Sequence, residues 1–143
     1  MNAATILKAK GNSVVTVKAS DSLETAARLM AERGIGCVVV AERGAGPVGI
    51  LSERDIVREV ALGGAARLKN PVADAMTRTI HSCRLEDTID HLMALMTARR
   101  FRHVPVMADG ELVGIVSIGD VVKLKIAEAE METEAMRAYI TTG

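Results

Sequence analysis

The sequence predicts an α/β (α+β) protein made of two consecutive βαββα-like units, and three observations carry that prediction. First, Val48-Gly49-Ile50-Leu51-Ser52-Glu53-Arg54-Asp55-Ile56-Val57 returns as Val113-Gly114-Ile115-Val116-Ser117-Ile118-Gly119-Asp120-Val121-Val122. Second, Ser22 to Met30 is echoed by Leu85 to Met93, and Ile35 to Val40 by Phe101 to Val106, in the same order. Internal repetition of this kind marks a duplicated structural unit. Third, the apolar spacing within each copy switches between the period of a helix and the alternation of a strand.

Each copy reads the same way along the chain. Val14 to Val17 opens the first as a short strand, and Thr79 and Ile80 open the second. A helix follows. In the first copy Asp21 is placed to cap it, with Glu24 three residues on to complete a capping box. Leu23, Ala26, Ala27 and Met30 then share one face, as do Leu85, Ile89, Leu92, Met93 and Met96 in the second copy. Two β-branched strands come next, Cys37 to Ala41 with Val48 to Leu51, and His103 to Met107 with Leu112 to Val116. Asp109-Gly110 supplies the residues of a tight hairpin turn between the second pair.

A second helix opens at Ser52 or Ser117. Gly63-Gly64 ends it in the first copy, and Asn70-Pro71 begins the second. The expected organisation is therefore a first unit over 5–62, a linker over 63–71, a second unit over 72–127 and a helical extension over 128–143. Along the helical pattern that runs on after Ser117, Leu124, Ala127, Met131, Ala135 and Ala138 form a narrow apolar stripe running toward Tyr139.

Composition narrows the function. Lys and Arg total 18, Asp and Glu total 18, and the formal net charge is zero. A nucleic-acid binder normally carries a basic excess. Trp is absent, and Phe101 and Tyr139 are the only aromatics, so stacking platforms for single strands are missing too. Cys37 and Cys83 are too few for a disulfide scaffold. No apolar run approaches the ~20 residues of a membrane span, and the start lacks a signal-peptide pattern. The expectation is a cytoplasmic protein with no nucleic-acid or membrane partner.

Few residues propose chemistry. Gly44-Ala45-Gly46-Pro47-Val48-Gly49 fits the G-x-G-x-x-G spacing of dinucleotide sites. In those sites a helix opens at the last glycine, whereas here Ile50-Leu51 continues a strand, so hairpin glycines explain the segment better. His81 and Cys83 fall short of the four ligands of a structural zinc site, and no metal is expected. No Ser, His and Asp set or Cys and His pair has a plausible activating partner, so no catalytic residue is assigned.

That leaves Ser52-x-x-Asp55 and Ser117-x-x-Asp120. A Ser followed three residues on by an acid is a capping box. The same arrangement places the Ser at a helix N-terminus, where unpaired N–H groups and the helix dipole favour a phosphate. The Asp, one turn in, offers two acceptor oxygens suited to ribose hydroxyls.

With h for an apolar residue, Gly49-Ile50-Leu51-Ser52-Glu53-Arg54-Asp55 and Gly114-Ile115-Val116-Ser117-Ile118-Gly119-Asp120 resemble the Gly-h-h-Thr/Ser-x-x-Asp signature of cystathionine-β-synthase (CBS) domains. Arg102-His103-Val104-Pro105-Val106 resembles the basic-h-Pro-Val strand of that family. The resemblance spans about residues 5 to 127 and implies two repeats related by a pseudo-twofold axis, with clefts for adenosine-containing ligands. AMP, ADP, ATP, S-adenosylmethionine and NAD(H) are the expected classes, bound as regulators rather than as catalytic cofactors. The resemblance places Asp55 and Asp120 at the ribose, and Ser52 and Ser117 near ribose or phosphate. It sets Thr16 and Val17, or Thr79 and Ile80, beside the adenine. Gly36, Cys37 and Val38, or His103, Val104 and Pro105, form the other wall. It further implies a homodimer and a downstream protein target.

The copies are unequal. Gly36 and Cys37 stand where the second copy has Arg102 and His103, and Arg54 stands where it has Gly119. Each site thus has a cation for phosphate, drawn from different elements. Two other functions compete with the regulatory one: a partner-binding structural module whose Ser/Asp pairs are caps alone, and a small NAD-dependent oxidoreductase.

Overall fold

Hydroxyl and amide side chains start the helices, and residues of positive φ end several of them. Asn2 opens α1 (Ala3–Lys10) with a reciprocal box: its Oδ1 accepts from the Thr5 amide at 3.0 Å, and its own amide donates to Thr5 Oγ1. Ser22 opens α2 (Leu23–Arg33) by accepting from the Thr25 amide. Gly34 ends it in the left-handed region, at φ 63°. Thr88 and Arg100 do the same for α4 (Ile89–Arg99), although Arg100, at φ 58°, carries a Cβ into a conformation that suits glycine. The structure is a computed structural model and describes residues 1–43 and 46–142.

The first repeat supplies β1 (Thr16–Val17), β2 (Cys37–Glu42), β3 (Gly46–Ser52) and α3 (Glu53–Gly63). β1 runs parallel to β2, pairing Thr16 with Val39 and Val17 with Val40, and β3 returns antiparallel to β2 with Cys37 opposite Ser52. Gly44 and Ala45, part of the glycine-rich spacing noted above, lie outside the described residues. From Gly46 the chain is strand, as expected. The second repeat supplies β4 (His103–Ala108), β5 (Glu111–Ser117) and the long α5 (Ile118–Thr142). Asp109 and Gly110, both at positive φ, make the turn of this hairpin.

Two compact units result, and they are not the two repeats. One holds residues 13–81, with the turn residues 110–112, around Val17, Leu23, Ala26, Met30, Val38, Val40, Leu51, Val72 and Met76. The other holds residues 1–12, 82–109 and 113–143, with Ile6, Leu7, Ile89, Leu92, Met96, Val104, Val106, Val116 and Val121 at its centre. The N-terminal helix α1, which the sequence reading did not foresee, therefore packs with the second repeat. Conversely, the segment after α3, with its 3-10 turns Ala65–Lys69 and Val72–Asp74, packs with the first.

Three expectations need correction. The cap of α2 is Ser22 rather than Asp21, whose carboxylate instead accepts from the Lys18 amide at 2.9 Å. The first helix of the second repeat begins at Ile89, so Leu85 lies in the turn before it and packs on the core from there. This sets the helical register between repeats at 66 residues, pairing Ser22 with Thr88, Met30 with Met96 and Gly34 with Arg100. Finally, Thr79 and Ile80 form no strand. The Thr77 backbone is drawn instead into reciprocal bonds with Ile50, completing the first unit. The partner of Val17 is Cys83, 66 residues on, which bridges Val106 in parallel as Val17 bridges Val40.

Candidate functional site

Both signatures sit at a strand-to-helix junction, where β3 passes into α3 and β5 into α5. The Ser is extended and its amide is among those a helix start leaves unpaired. The Asp satisfies it. Asp55 Oδ2 accepts from the Ser52 amide at 2.8 Å and from Ser52 Oγ at 3.0 Å, while Ser52 Oγ accepts from the Asp55 amide. Asp120 Oδ2 accepts from the Ser117 amide at 2.9 Å, and Ser117 Oγ accepts from the Asp120 amide at 3.1 Å. Each pair is thus a capping box, and each carboxylate keeps Oδ1 clear of protein hydrogen bonds among the described residues.

The start of the neighbouring strand lies against each junction. Gly36 O accepts from the Glu53 amide at 3.0 Å, and Arg102 O accepts from the Ile118 amide at 2.8 Å. The structure therefore brings Gly36, Cys37 and Val38 alongside Ser52, Arg54 and Asp55. It likewise brings Arg102 and the head of β4, His103 with the buried Val104 and Pro105, to Ser117 and Asp120. Thr16 and Val17 lie on the far side of β2 from β3, in the same unit as Asp55. Thr79 and Ile80 fall in the unit of the first repeat, and Cys83 takes the position beside Val106 that Val17 takes beside Val40.

The signature glycines are needed because another element crosses them. A Cβ on Gly114 would lie 2.6 Å from both Leu7 methyls, and one on Gly49 would lie 2.7 Å from Met76 Sδ and 3.0 Å from the Thr77 carbonyl oxygen. These covering elements carry different chemistry. Lys10, at the end of α1, donates to Asp120 Oδ2 at 2.8 Å and to the Ile115 carbonyl at 3.0 Å. Asp55, 8% exposed, has the exposed Arg58 guanidinium 3.7 Å from Oδ1 as its one ion pair among the described residues.

Electrostatics follow this division. Burial pushes the Asp120 carboxyl up, but hydrogen bonds from Lys10 and Ser117 outweigh it and hold the group below the ordinary carboxylate value. Burial, with the nearby Asp87 charge, pushes the Cys83 thiol up to about 11. Lys10 is the residue that sequence reasoning missed. A cation more than a hundred positions from its partner leaves no local signal. A clue lay in the capping residues Asn2 and Thr5 before an apolar pair, Ile6 and Leu7. Among the described residues no cluster of His, Cys, Asp and Glu is placed to hold a metal, and no helix is long and apolar enough to cross a membrane.

A duplicated βαββα unit with a Gly-h-h-Ser-x-x-Asp junction in each copy defines a tandem CBS pair. The chain belongs to that family: the CBS domain model matches residues 11–62 and again 72–127. Among its relatives, the mitochondrial CBS domain-containing protein CBSX3 of Arabidopsis thaliana is 32% identical over 96% of this chain and 71% of its own length. YhcV of Bacillus subtilis is 30% identical over 90% and 86%. The crystal structure of the CBS-domain protein ATU1752 from Agrobacterium tumefaciens superposes with a TM-score of 0.84, at 45% identity over 87% of this chain and 92% of that one. The CBS domain pair of protein MJ0100, solved with 5′-methylthioadenosine and S-adenosyl-L-methionine, has the same fold at a TM-score of 0.79 and 22% identity, over 90% of this chain and 98% of that one.

Proposed function

We propose that this CBS pair is a regulatory module that binds an adenosine-containing ligand at its Ser/Asp junctions and catalyses no reaction. The single observation that carries the reading is the duplicated junction itself. In both copies the same Asp caps a helix with one oxygen and presents the other beside the head of a strand. The adenosine ligands of the MJ0100 pair support the ligand class. AMP, ADP, ATP, NAD(H) and S-adenosylmethionine are the candidates. The setting is a reducing cytoplasm, in keeping with two buried thiols and no disulfide. Exposed apolar residues such as Val57 and Leu62 on α3 and Met131 and Ile140 on α5 support association with a second copy and with a protein target.

Thermal titration with that panel tests the reading. A ligand at one hundred times its dissociation constant adds about 2.7 kcal/mol, which for a chain of this size raises the melting temperature by roughly 5–10 °C. No shift and no calorimetric heat with any member overturns it. The capping boxes favour one rival, in which Asp55 and Asp120 are helix caps alone. Changing them to Asn then leaves ligand affinity untouched.

A further inference from the structure

We infer that Lys10 sets the charge of the ligand that the second signature accepts, selecting adenosine compounds that carry an anionic group over neutral ones. The inference rests on the reading that Asp120 receives the ribose. Lys10 is no loose tail. It closes α1, whose start is fixed by the Asn2–Thr5 box and by the Ala3 and Ala4 amides, which donate to the Asp87 and Leu85 carbonyls. Leu7, one turn before Lys10, is buried against Gly114. The ammonium is thereby delivered to Asp120 and the Ile115 carbonyl by a packed helix.

Among the described residues no cation is hydrogen-bonded to Asp55 in the first repeat. The position 66 residues after Lys10 is Met76, whose thioether lies on Gly49. Asp55 therefore meets a ligand as a carboxylate held only by its own cap, with Arg58 at the longer distance. Asp120 meets it as half of an ion pair.

This changes what each carboxylate selects. One ribose hydroxyl can take the open Oδ1 of Asp120, but a second that needs Oδ2 competes with the ammonium already donating to that oxygen. A neutral nucleoside that displaces Lys10 leaves that charge without a partner. A phosphate or carboxylate on the ligand takes the ammonium over, freeing Asp120 for the hydroxyls in a single exchange of partners. The Lys10 side chain is about one-third exposed and has four carbons of reach, so it follows the anion without moving α1.

Amide NMR separates the two sites in the intact chain, reading Ser117, Gly119 and Asp120 for one signature and Ser52 and Asp55 for the other. Titrations with AMP and with adenosine are compared in the wild type, Lys10→Met and Lys10→Arg. At the second signature the wild-type preference for AMP should fall about tenfold in Lys10→Met, with adenosine tightening as AMP weakens. Lys10→Arg should retain the preference, and the first signature should keep its own ratio in all three proteins. An unchanged ratio in Lys10→Met, or a parallel change for both ligands, overturns the role of Lys10. Absence of any shift with either ligand at either signature in the wild type overturns the binding reading first, and this inference with it. Lys10 lies outside the core at a helix end, and circular dichroism verifies that its variants fold.

Discussion

Asp55 and Asp120 stand at equivalent junctions, three residues past equivalent serines, yet they are held differently. Asp55 is sealed in and bonds the amide and hydroxyl of one serine. Asp120 is more open and shares its oxygen between a backbone amide and a lysine from the far end of the chain. The backbone plan is common to the repeats, while the covering element differs: a helix ending in a cation for one, a short turn ending in a thioether for the other. Duplication conserves the motif's local geometry. What the motif binds depends on a neighbour outside it.

The largest expected effect comes from removing the cover. Leu7→Ala empties a buried site and should cost about 2–5 kcal/mol in urea unfolding, with Met76→Ala, on the less enclosed cover of Gly49, toward the low end. If Leu7→Ala costs less than 1 kcal/mol, α1 is not the structural cover described here. Next, Asp55→Asn and Asp120→Asn should each weaken adenosine-ligand binding at their own junction by roughly 10- to 150-fold, the worth of about 1.5–3 kcal/mol for a bond to a charged group. Isothermal titration that finds both unchanged leaves only the caps.

Acid should separate the repeats as well. The Asp120 carboxyl lies below its ordinary value of about 3.9, so its stabilising contribution is complete above that range and is lost as pH falls through the lower folded-state value. Lys10→Met removes a principal cause of the depression. Its destabilisation relative to wild type should be present at pH 6–7 and shrink toward pH 3, measured by urea midpoints. A constant or growing gap contradicts the ion pair. The smallest effect concerns the helix ends. Arg100→Gly relieves a left-handed residue at roughly 1–2 kcal/mol and loses about 0.4–1 kcal/mol to the unfolded chain's freedom, for a net gain near 0.5 kcal/mol. Gly34→Arg, the reverse change in the other repeat, should lose a similar amount.

The strands and the Ser52 and Ser117 junctions were legible because their signals are local: β-branched runs, an Asp-Gly turn, and a cap ahead of an apolar face. The fold class followed from repetition. Register proved harder. Thr88, Leu92 and Met93 align with Thr25, Leu29 and Met30 by residue type, but the turn before α4 displaces the true correspondence, which pairs Thr88 with Ser22 and Met96 with Met30. Thr79 and Ile80 look like a strand by composition, yet the ladder is taken up by Thr77 on one side and by Cys83 on the other. Lys10 was invisible, because its meaning depends on a partner 110 residues away.

The exchange of covers also dictates the order in which the chain can finish folding. Nearly all of the unit around the first repeat is one continuous stretch, residues 13–81, and can close soon after it leaves the ribosome. The other unit joins α1 to α5, its Lys10 contacts to Ile115 and Asp120 spanning separations of 105 and 110 residues. Closing so long a loop carries an entropy cost that grows with the logarithm of its length. Contacts of such sequence separation form late, so the docking of α1 is the slow step in closing this unit.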